Sequence, residues 1–424
     1  MAGAGTQVAW LEVLAVSLRL GMTSFGGPVA HIGYQRAELV TRRAWLDDAA
    51  FGELVALCQA LPGPASSQLM IAAGRVRAGW AGGVAAWVGF TLPSAILMLL
   101  LGLLVAGAAI PAAGPVAGAI AGLKAAAVAV VAHAVVAMGR RLTPDLPRLA
   151  MAAVACLLAL AVPVPATGPL LIVAGGLVGL AALRGLVTGA TAPTGARQGA
   201  AVPAVAGETG TAGGSPARGA RAVATLAIAW LVVVIGSEVV AAATGRPELG
   251  FLAALVRSGA LVFGGGHVVL PLLDTGVVDP GWVTPDAFLA GYGFAQALPG
   301  PLFSFAAYLG AISSSGPGGV VGAVLATVAI FLPGALLVLA ALPVLRRVRE
   351  RPGVAAALAG TNAVVVGILA AALVTPVGSG GLTSPPAAAL AGLGFVGLLV
   401  GRVAPLLVVA ASAVALAAVA CVAA

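Results

Sequence analysis

The chain has 424 residues, 61% of them hydrophobic and 8% charged, and a mean hydropathy of +1.12. Soluble globular proteins carry about 25% charged residues, so this chain lacks the polar surface to cover a water-soluble body. Nor does it show the short alternating segments of a membrane β-barrel. The net charge of +8 would suggest nucleic acid in a soluble protein. In an apolar chain it reads instead as basic cytoplasmic loops that orient a membrane protein, with lipid rather than nucleic acid as its surroundings.

In chain order, the N-terminus shows no basic stretch followed by a small-residue cleavage site, so no removable signal peptide is expected. Residues 10–25 are apolar but read as an incomplete crossing. They carry Arg19 and run into Phe25-Gly26-Gly27-Pro28 and His31, followed by a basic loop with Arg36, Arg42 and Arg43. Residues 51–75 contain "LCQALPGP" and read as a re-entrant hairpin. Full spans, each near the roughly 20 residues a bilayer core requires, are predicted at 79–107, 116–139, 149–163 and 168–184. The stretch 185–221, rich in Gly, Ala, Thr and Pro, reads as a flexible cytoplasmic linker, followed by an unpaired span at 222–243. Residues 246–265 form a second incomplete crossing with Arg257, ending in Phe263-Gly264-Gly265-Gly266 and His267. Then come a loop with Asp274, Asp279 and Asp286, a second hairpin at 288–312 containing "FAQALPGP", and spans at 317–343, 353–374, 386–401 and 403–423. Cys58, Cys156 and Cys421 sit in apolar runs without CxxC spacing and read as packed residues.

The order of these features is a duplication. Trp45 answers Trp282, Phe51 answers Phe288, Gln59 answers Gln296, and Pro62-Gly63-Pro64 answers Pro299-Gly300-Pro301. Further on, "FTLPSAIL" at 90–97 answers "IFLPGALL" at 330–337, and "AGLKAAAV" at 121–128 answers "AGTNAVVV" at 359–366. The units are 1–184 and 244–424. Their charges have swapped places: the basic loop after the first glycine motif is acidic in the second unit, while the uncharged loop near 108–114 is answered by "RRVRERP" at 346–352. By the positive-inside rule the two repeats are inverted, which leaves all basic residues except Lys124, Arg246 and Arg257 on the cytoplasmic side. The fold class expected is an all-α polytopic membrane protein of two inverted repeats with broken helices, the arrangement of secondary transporters that bind substrate between the repeats.

Proline ends the helix before it and pushes the preceding residue out of the α region, yet it is accepted in the first turn of a new helix. Each Leu-Pro-Gly-Pro therefore ends one half-helix, at Leu61 or Leu298, and starts another near Pro64 or Pro301. The new start presents unpaired amides and a partial positive charge, which suits an anion. Ser66, Ser67 and Ser304 add hydroxyls, and Gln59 and Gln296 precede the breaks by a turn. A plain turn in a loop is the alternative. The glycine runs allow close backbone approach or, alternatively, small-residue helix contact. Neither fits a nucleotide-binding loop, so no cofactor, metal or ATP-driven step is expected. Lys124, the only lysine, lies mid-span, where charge is functional by default unless it snorkels to an interface; its counterpart is Asn362. His133 reads either as a second titrating group or as a packed residue. Arg19 and Arg257 read either as anion ligands or as interfacial charges.

Taken together, "FGGPVAHIGY…W…F…QALPGP" and "FGGGHVVLPLL…W…F…QALPGPLFSFAAYLG" resemble the chromate ion transporter family, long bidomain type, over about 10–185 and 245–375. The resemblance implies an inner-membrane exporter of chromate that confers resistance to it, with sulfate as a competing or alternative oxyanion. A homo-oligomer is a separate expectation for the assembly. It assigns the family's motif to Phe25, Gly26, Gly27, Pro28, His31, Gln59, Pro62, Gly63 and Pro64, and to Phe263, Gly264, Gly265, Gly266, Gln296, Pro299, Gly300 and Pro301. His267 departs from the aromatic residue expected after the second glycine run. An intramembrane enzyme is not expected, because the histidines are scattered and no acidic pair lies mid-span.

Overall fold

The computed structural model describes residues 4–107, 114–164, 166–183, 216–263, 266–344, 352–400 and 403–422. Among these the chain is all-α and has no strand. The first half runs through α1 (Ala4–Thr23), α2 (Gly27–Arg36), α3 (Asp48–Ala60), α4 (Ala65–Gly107), α5 (Pro115–Leu142), α6 (Leu146–Ala161) and α7 (Thr167–Ala182). Next is α8 (Pro216–Thr244), which begins inside the stretch read as linker; residues 185–215 of that stretch lie outside the described residues. The second half holds α9 (Pro247–Leu261), α10 (Val269–Leu273), α11 (Pro285–Ala295), α12 (Phe305–Ile312), α13 (Gly319–Ala341), α14 (Pro352–Ala372), α15 (Pro385–Leu399) and α16 (Pro405–Val422). Six helices among the described residues are long and apolar enough to cross a bilayer: α4, α5, α8, α13, α14 with its extension to Gly381, and α16. Shorter apolar helices, α6, α7 and α15, occupy the other predicted spans.

Both motif regions are pairs of short helices. At 1.5 Å per residue, the 13 residues of α3 reach about 20 Å and the 11 residues of α11 about 16 Å, short of a core roughly 30 Å thick. Asp47 and Thr284 cap these two helices at matching positions, accepting from the Ala50 and Ala287 amides. α4 is two arms joined at Ala78 and Gly79, where the backbone leaves the helical region. The matching break in the second half is the 313–318 loop between α12 and α13. α1 runs 20 residues, longer than the partial crossing expected at 10–25.

The long arm of α4 and α13 are corresponding elements of the duplication, and they run antiparallel. Trp87 meets Phe331 edge-on at 6.0 Å between ring centroids, while Leu103, further along α4, lies 4.0 Å from where a methyl on Gly319 would stand, at the start of α13. Elsewhere the helices approach through small residues, as membrane helices do where no hydrophobic force separates protein from lipid. Gly118 and Gly122 of α5 face the carbonyls of Leu416 and Ser412 on α16, and Gly175 and Gly179 of α7 face Gly360 of α14. Long apolar side chains such as Leu104, Leu170 and Leu393 point outward, which is the order a lipid solvent demands.

Charge is concentrated at one end of the first half. Glu12 of α1 bridges Arg43, at 3.1 Å, and Arg77, at 3.0 Å, and Glu38 holds Arg43 at 2.8 Å. Both guanidiniums stack over Trp45. The counterpart, Trp282, packs instead on Phe251 and against Gly250.

A side chain at Gly360 would place its Cβ 2.1 Å from the Gly175 carbonyl oxygen and 2.6 Å from the Gly179 Cα. Gly360→Leu therefore costs about 1–3 kcal/mol or more by overpacking. The measurement is the thermal midpoint of purified protein in detergent. Gly392→Leu, where nothing lies within 4 Å, leaves that midpoint within about 0.5 kcal/mol of the unaltered chain.

Candidate anion site between two broken helices

The first break follows the sequence expectation. α3 ends at Ala60, Leu61 is extended, and α4 restarts at Ala65. The second ends earlier than expected, at Ala295 rather than Leu298. Its last turn tightens, with the Ala297 and Leu298 amides donating three residues back to Phe294 and Ala295, as helix ends do when the i→i−4 ladder runs out. The chain then restarts through a 3₁₀ turn at Leu302–Ser304.

Each break is closed by the other half of the molecule. The Gly63 amide donates to the Val262 carbonyl at 2.7 Å, and the Gly300 amide donates to the Ser24 carbonyl at 2.9 Å. Val262 and Ser24 are the residues before Phe263 and Phe25, so each Pro-Gly-Pro is bound to the foot of the opposite glycine motif. Gly63 and Gly300 have φ of +121° and +91°, a region that only glycine enters without strain. They also share a tight fit. A Cβ on Gly63 would meet the Gly334 Cα at 3.0 Å, and one on Gly300 would meet the Ser94 Oγ at 2.9 Å. Gly334 and Ser94 are themselves counterparts, each following the proline of "FLPG" and "TLPS".

The Gly63 and Gly300 amides are thus used between the halves, which leaves the first-turn amides of α4 and nearby side chains as donors for a ligand. The hydroxyls of Ser24, Ser67 and Thr91 and the Nε2 of Gln296 are buried without a partner; Ser24 and Ser67 are 0% exposed. Buried polar groups normally find partners, so these unused donors, on the elements that form the two crossings, are candidates to meet an acceptor-rich guest. Ser66, by contrast, is engaged: its Oγ lies 3.3 Å from the buried His31 Nδ1, and its carbonyl accepts from Gln35 Nε2 at 3.0 Å. Ser304 is tied to Ser94 at 2.7 Å; because the Ser94 hydroxyl donates to the Thr91 carbonyl, Ser304 is the donor between them.

The glycine motifs reach the same centre. Gly26 and Gly27 have φ of +91° and +77°, and His267 Nε2 lies 4.0 Å from where a methyl on Gly27 would stand. His267 Nδ1 is 3.1 Å from the Tyr292 hydroxyl. Pro28 is in the first turn of α2. Gly264 and Gly265 lie outside the described residues, and Gly266 opens a 3₁₀ turn.

Other candidates fall elsewhere. Gln59 is exposed and accepts from Arg141 Nη2 at 2.9 Å, unlike its counterpart Gln296. Arg19 is exposed on α1 and makes no ion pair among the described residues. Arg257 pairs with Glu238 of α8 at 2.8 Å. Lys124 is 9% exposed, and its ammonium donates to Asp286 of α11 at 2.7 Å. The Asp286 side chain is 75% exposed, so the lysine buries its stem and snorkels toward the start of α11. Asn362, on α14, has a buried unpartnered Oδ1. Sequence reading missed Gln68, whose Nε2 donates to the Pro62 and Gly334 carbonyls at 2.9 and 3.0 Å and fills the first break. It also missed Ser24, Thr91, Ser94 and Tyr292. The only local signal for Ser94 was the proline in mid-span beside it. Among the described residues, no group of three His, Cys, Asp or Glu stands close enough to hold a metal.

With this geometry in view, the comparisons decide the family. The sequence profile described as chromate transporter matches residues 11–180 and 249–417, one stretch in each half. The chain belongs to the chromate transporter family. It is 32% identical over 371 residues to a chromate transport protein of Pseudomonas aeruginosa, covering 86% of this chain and 80% of that one. It is 26% identical to a chromate transport protein of Cupriavidus metallidurans, covering 86% and 81%. It is 25% identical to a probable chromate transport protein of Synechococcus elongatus, covering 84% and 82%. No solved structure matches it. The chain is thus a multi-pass membrane protein of a transporter rather than an enzyme family, and the membership supports chromate as the ion moved.

Gly63→Ala and Gly300→Ala each force a side chain into positive φ and into the opposite half, and each lowers stability by about 1–3 kcal/mol. Thermal unfolding in detergent measures this against Gly52→Ala, where nothing lies within 4 Å. Equal midpoints for all three would show that the crossings are unstrained and open.

Proposed function

We propose that the chain exports chromate from the cytoplasm by alternating access between two inverted repeats, with the dianion held where the broken helices cross. The observation that supports this most is the reciprocal pair of bonds, Gly63 to Val262 and Gly300 to Ser24. A contact and its mirror between homologous halves is what a two-fold relation produces. The antiparallel course of α4 and α13, together with the exchanged charge of the loops, favours an axis in the membrane plane.

The ligand chemistry follows from the donors. A tetrahedral oxyanion offers acceptors in several directions, and Ser24, Ser67, Thr91 and Gln296 offer hydrogens without formal charge. The first turn of α4 adds a positive helix end beside Ser67. Neutral donors hold a dianion without trapping it, which suits transport more than storage. Lys124 enters as a positioning residue, its ammonium committed to Asp286 between the halves. Export needs no nucleotide. A dianion leaving a negative interior gains about 4.6 kcal/mol per 100 mV, twice the single-charge value. Neutral hydroxyl and amide donors do not separate chromate from sulfate by charge, so sulfate is the second reading, carried at the same crossing.

Everted vesicles from cells expressing the chain take up labelled chromate when an inside-positive potential is imposed, and excess sulfate competes. Ser67→Ala raises the half-saturating chromate concentration about tenfold, the loss of one hydrogen bond to a charged ligand. Uptake no greater than in vesicles lacking the chain, under any imposed gradient, contradicts the proposal.

A further inference from the structure

The helical run that leaves the second glycine motif ends in a polar feature that oxyanion binding does not use. Asp274 follows His267 by seven residues along the same run, at the start of its last turn. Asp274 and Asp279 line a cavity of about 180 Å³ shared with Ala159, Val162 and Val164 of the first half and with Pro271 and Ile368 of the second. Thr167, Thr275 and Thr375 share its wall, and it is polar and roomy enough for several waters. The segments that meet there are the ones the charge pattern assigns to the side away from Arg36, Arg42 and Arg43.

No cation is paired with either carboxylate among the described residues. Around the 266–279 run, α9 contributes Arg257, whose Nη2 lies 3.8 Å from where a methyl on Gly276 would stand, but its guanidinium is bound to Glu238. α11 contributes Asp286, bound to Lys124 of α5. α5 also carries His133, and the run itself carries His267. α6 carries Arg148, bound to Asp145 at the far end of that helix from the cavity. The described parts of α7 and α14 and the turn 373–378 carry no charged group facing it. Asp274 lies in the short apolar stretch Gly266–Val278, which is not among the six helices long enough to span. Burial, and then the charge of Asp279, raise its pKa from the ordinary carboxylate range to about 7; burial raises Asp279 as well.

We propose that Asp274 is a proton-binding site that opens this vestibule to the oxyanion: neutral with its proton, the vestibule admits the dianion, and ionised, the Asp274–Asp279 pair repels it. The inference rests on the transport reading above. The sign follows from the chemistry. A carboxylate with a raised pKa is neutral on the acid side of that value and charged on the alkaline side, so passage is open in acid and closes as pH rises.

The full-length chain in proteoliposomes, with equal pH inside and out, tests this by chromate efflux from pH 6 to pH 8.5. Comparing Asp274→Asn with the unaltered chain at each pH cancels the titration of chromate itself. The expected ratio of variant to unaltered rate is near one at pH 6 and rises to about tenfold at pH 8.5, where a group titrating near 7 is almost wholly ionised. A ratio flat across pH, or a variant slower throughout, overturns the proposal. Should Asp274→Asn fail to fold, Asp279→Asn removes only the neighbouring charge and moves the midpoint of the pH profile to lower pH; an unmoved midpoint overturns it equally. Absence of chromate movement by the unaltered chain at every pH instead overturns the transport reading, and this inference with it.

Discussion

Backbone polar groups withdrawn from water must be paired, and a helix broken at membrane depth leaves amides and carbonyls that lipid does not satisfy. In this chain the two halves satisfy one another. The Gly63 amide ends on a carbonyl at the foot of the second glycine motif, and the Gly300 amide ends on a carbonyl at the foot of the first. Each break therefore relies on the other half for the partner of its glycine amide. The tight contacts of Gly63 with Gly334 and of Gly300 with Ser94 follow from the same exchange, as does the convergence of His267 on Gly27. On the alternating-access reading proposed above, a motion of one half against the other would act on both crossings at once.

The duplication is followed closely in the backbone and loosely in the side chains. Positive φ recurs at Gly63 and Gly300, and also at Ala44 and Gly281 beside the paired tryptophans. The polar fillings differ. Gln68 spans the first break, whereas a pair of serines from opposite halves sits at the second. Trp45 is held by two arginines and a carboxylate network, while Trp282 is held by an aromatic ring. On the export reading proposed above, two ends that differ in chemistry while sharing a frame would serve entry and release differently.

Helices, breaks and duplication were legible in the sequence because each has a local cause. Apolar runs of spanning length, prolines that stop a helix and glycines that permit positive φ act on their own neighbourhoods. Contacts between distant residues leave no such trace. Nothing near Gly63 announces that its amide is taken by Val262, so the breaks were legible while their closure was not. Lys124 is visible in the sequence as a lone mid-span charge, but its partner stands 162 positions away. Gln59 and Gln296 share a six-residue string and end in different surroundings, because Arg141 draws one of them outward. Ser24 and Thr91 are unremarkable in sequence; only their burial without a partner marks them.

On the reading proposed above, the two homologous halves stand upside down to one another, so that the broken helices enter from opposite sides and meet. Cysteines placed singly at 30–48 and at 268–286, then labelled in intact cells and in everted vesicles with a reagent that does not cross the membrane, test it most directly. The account predicts labelling of the first set only in everted vesicles and of the second set only in intact cells. Labelling of both sets from the same side would contradict it.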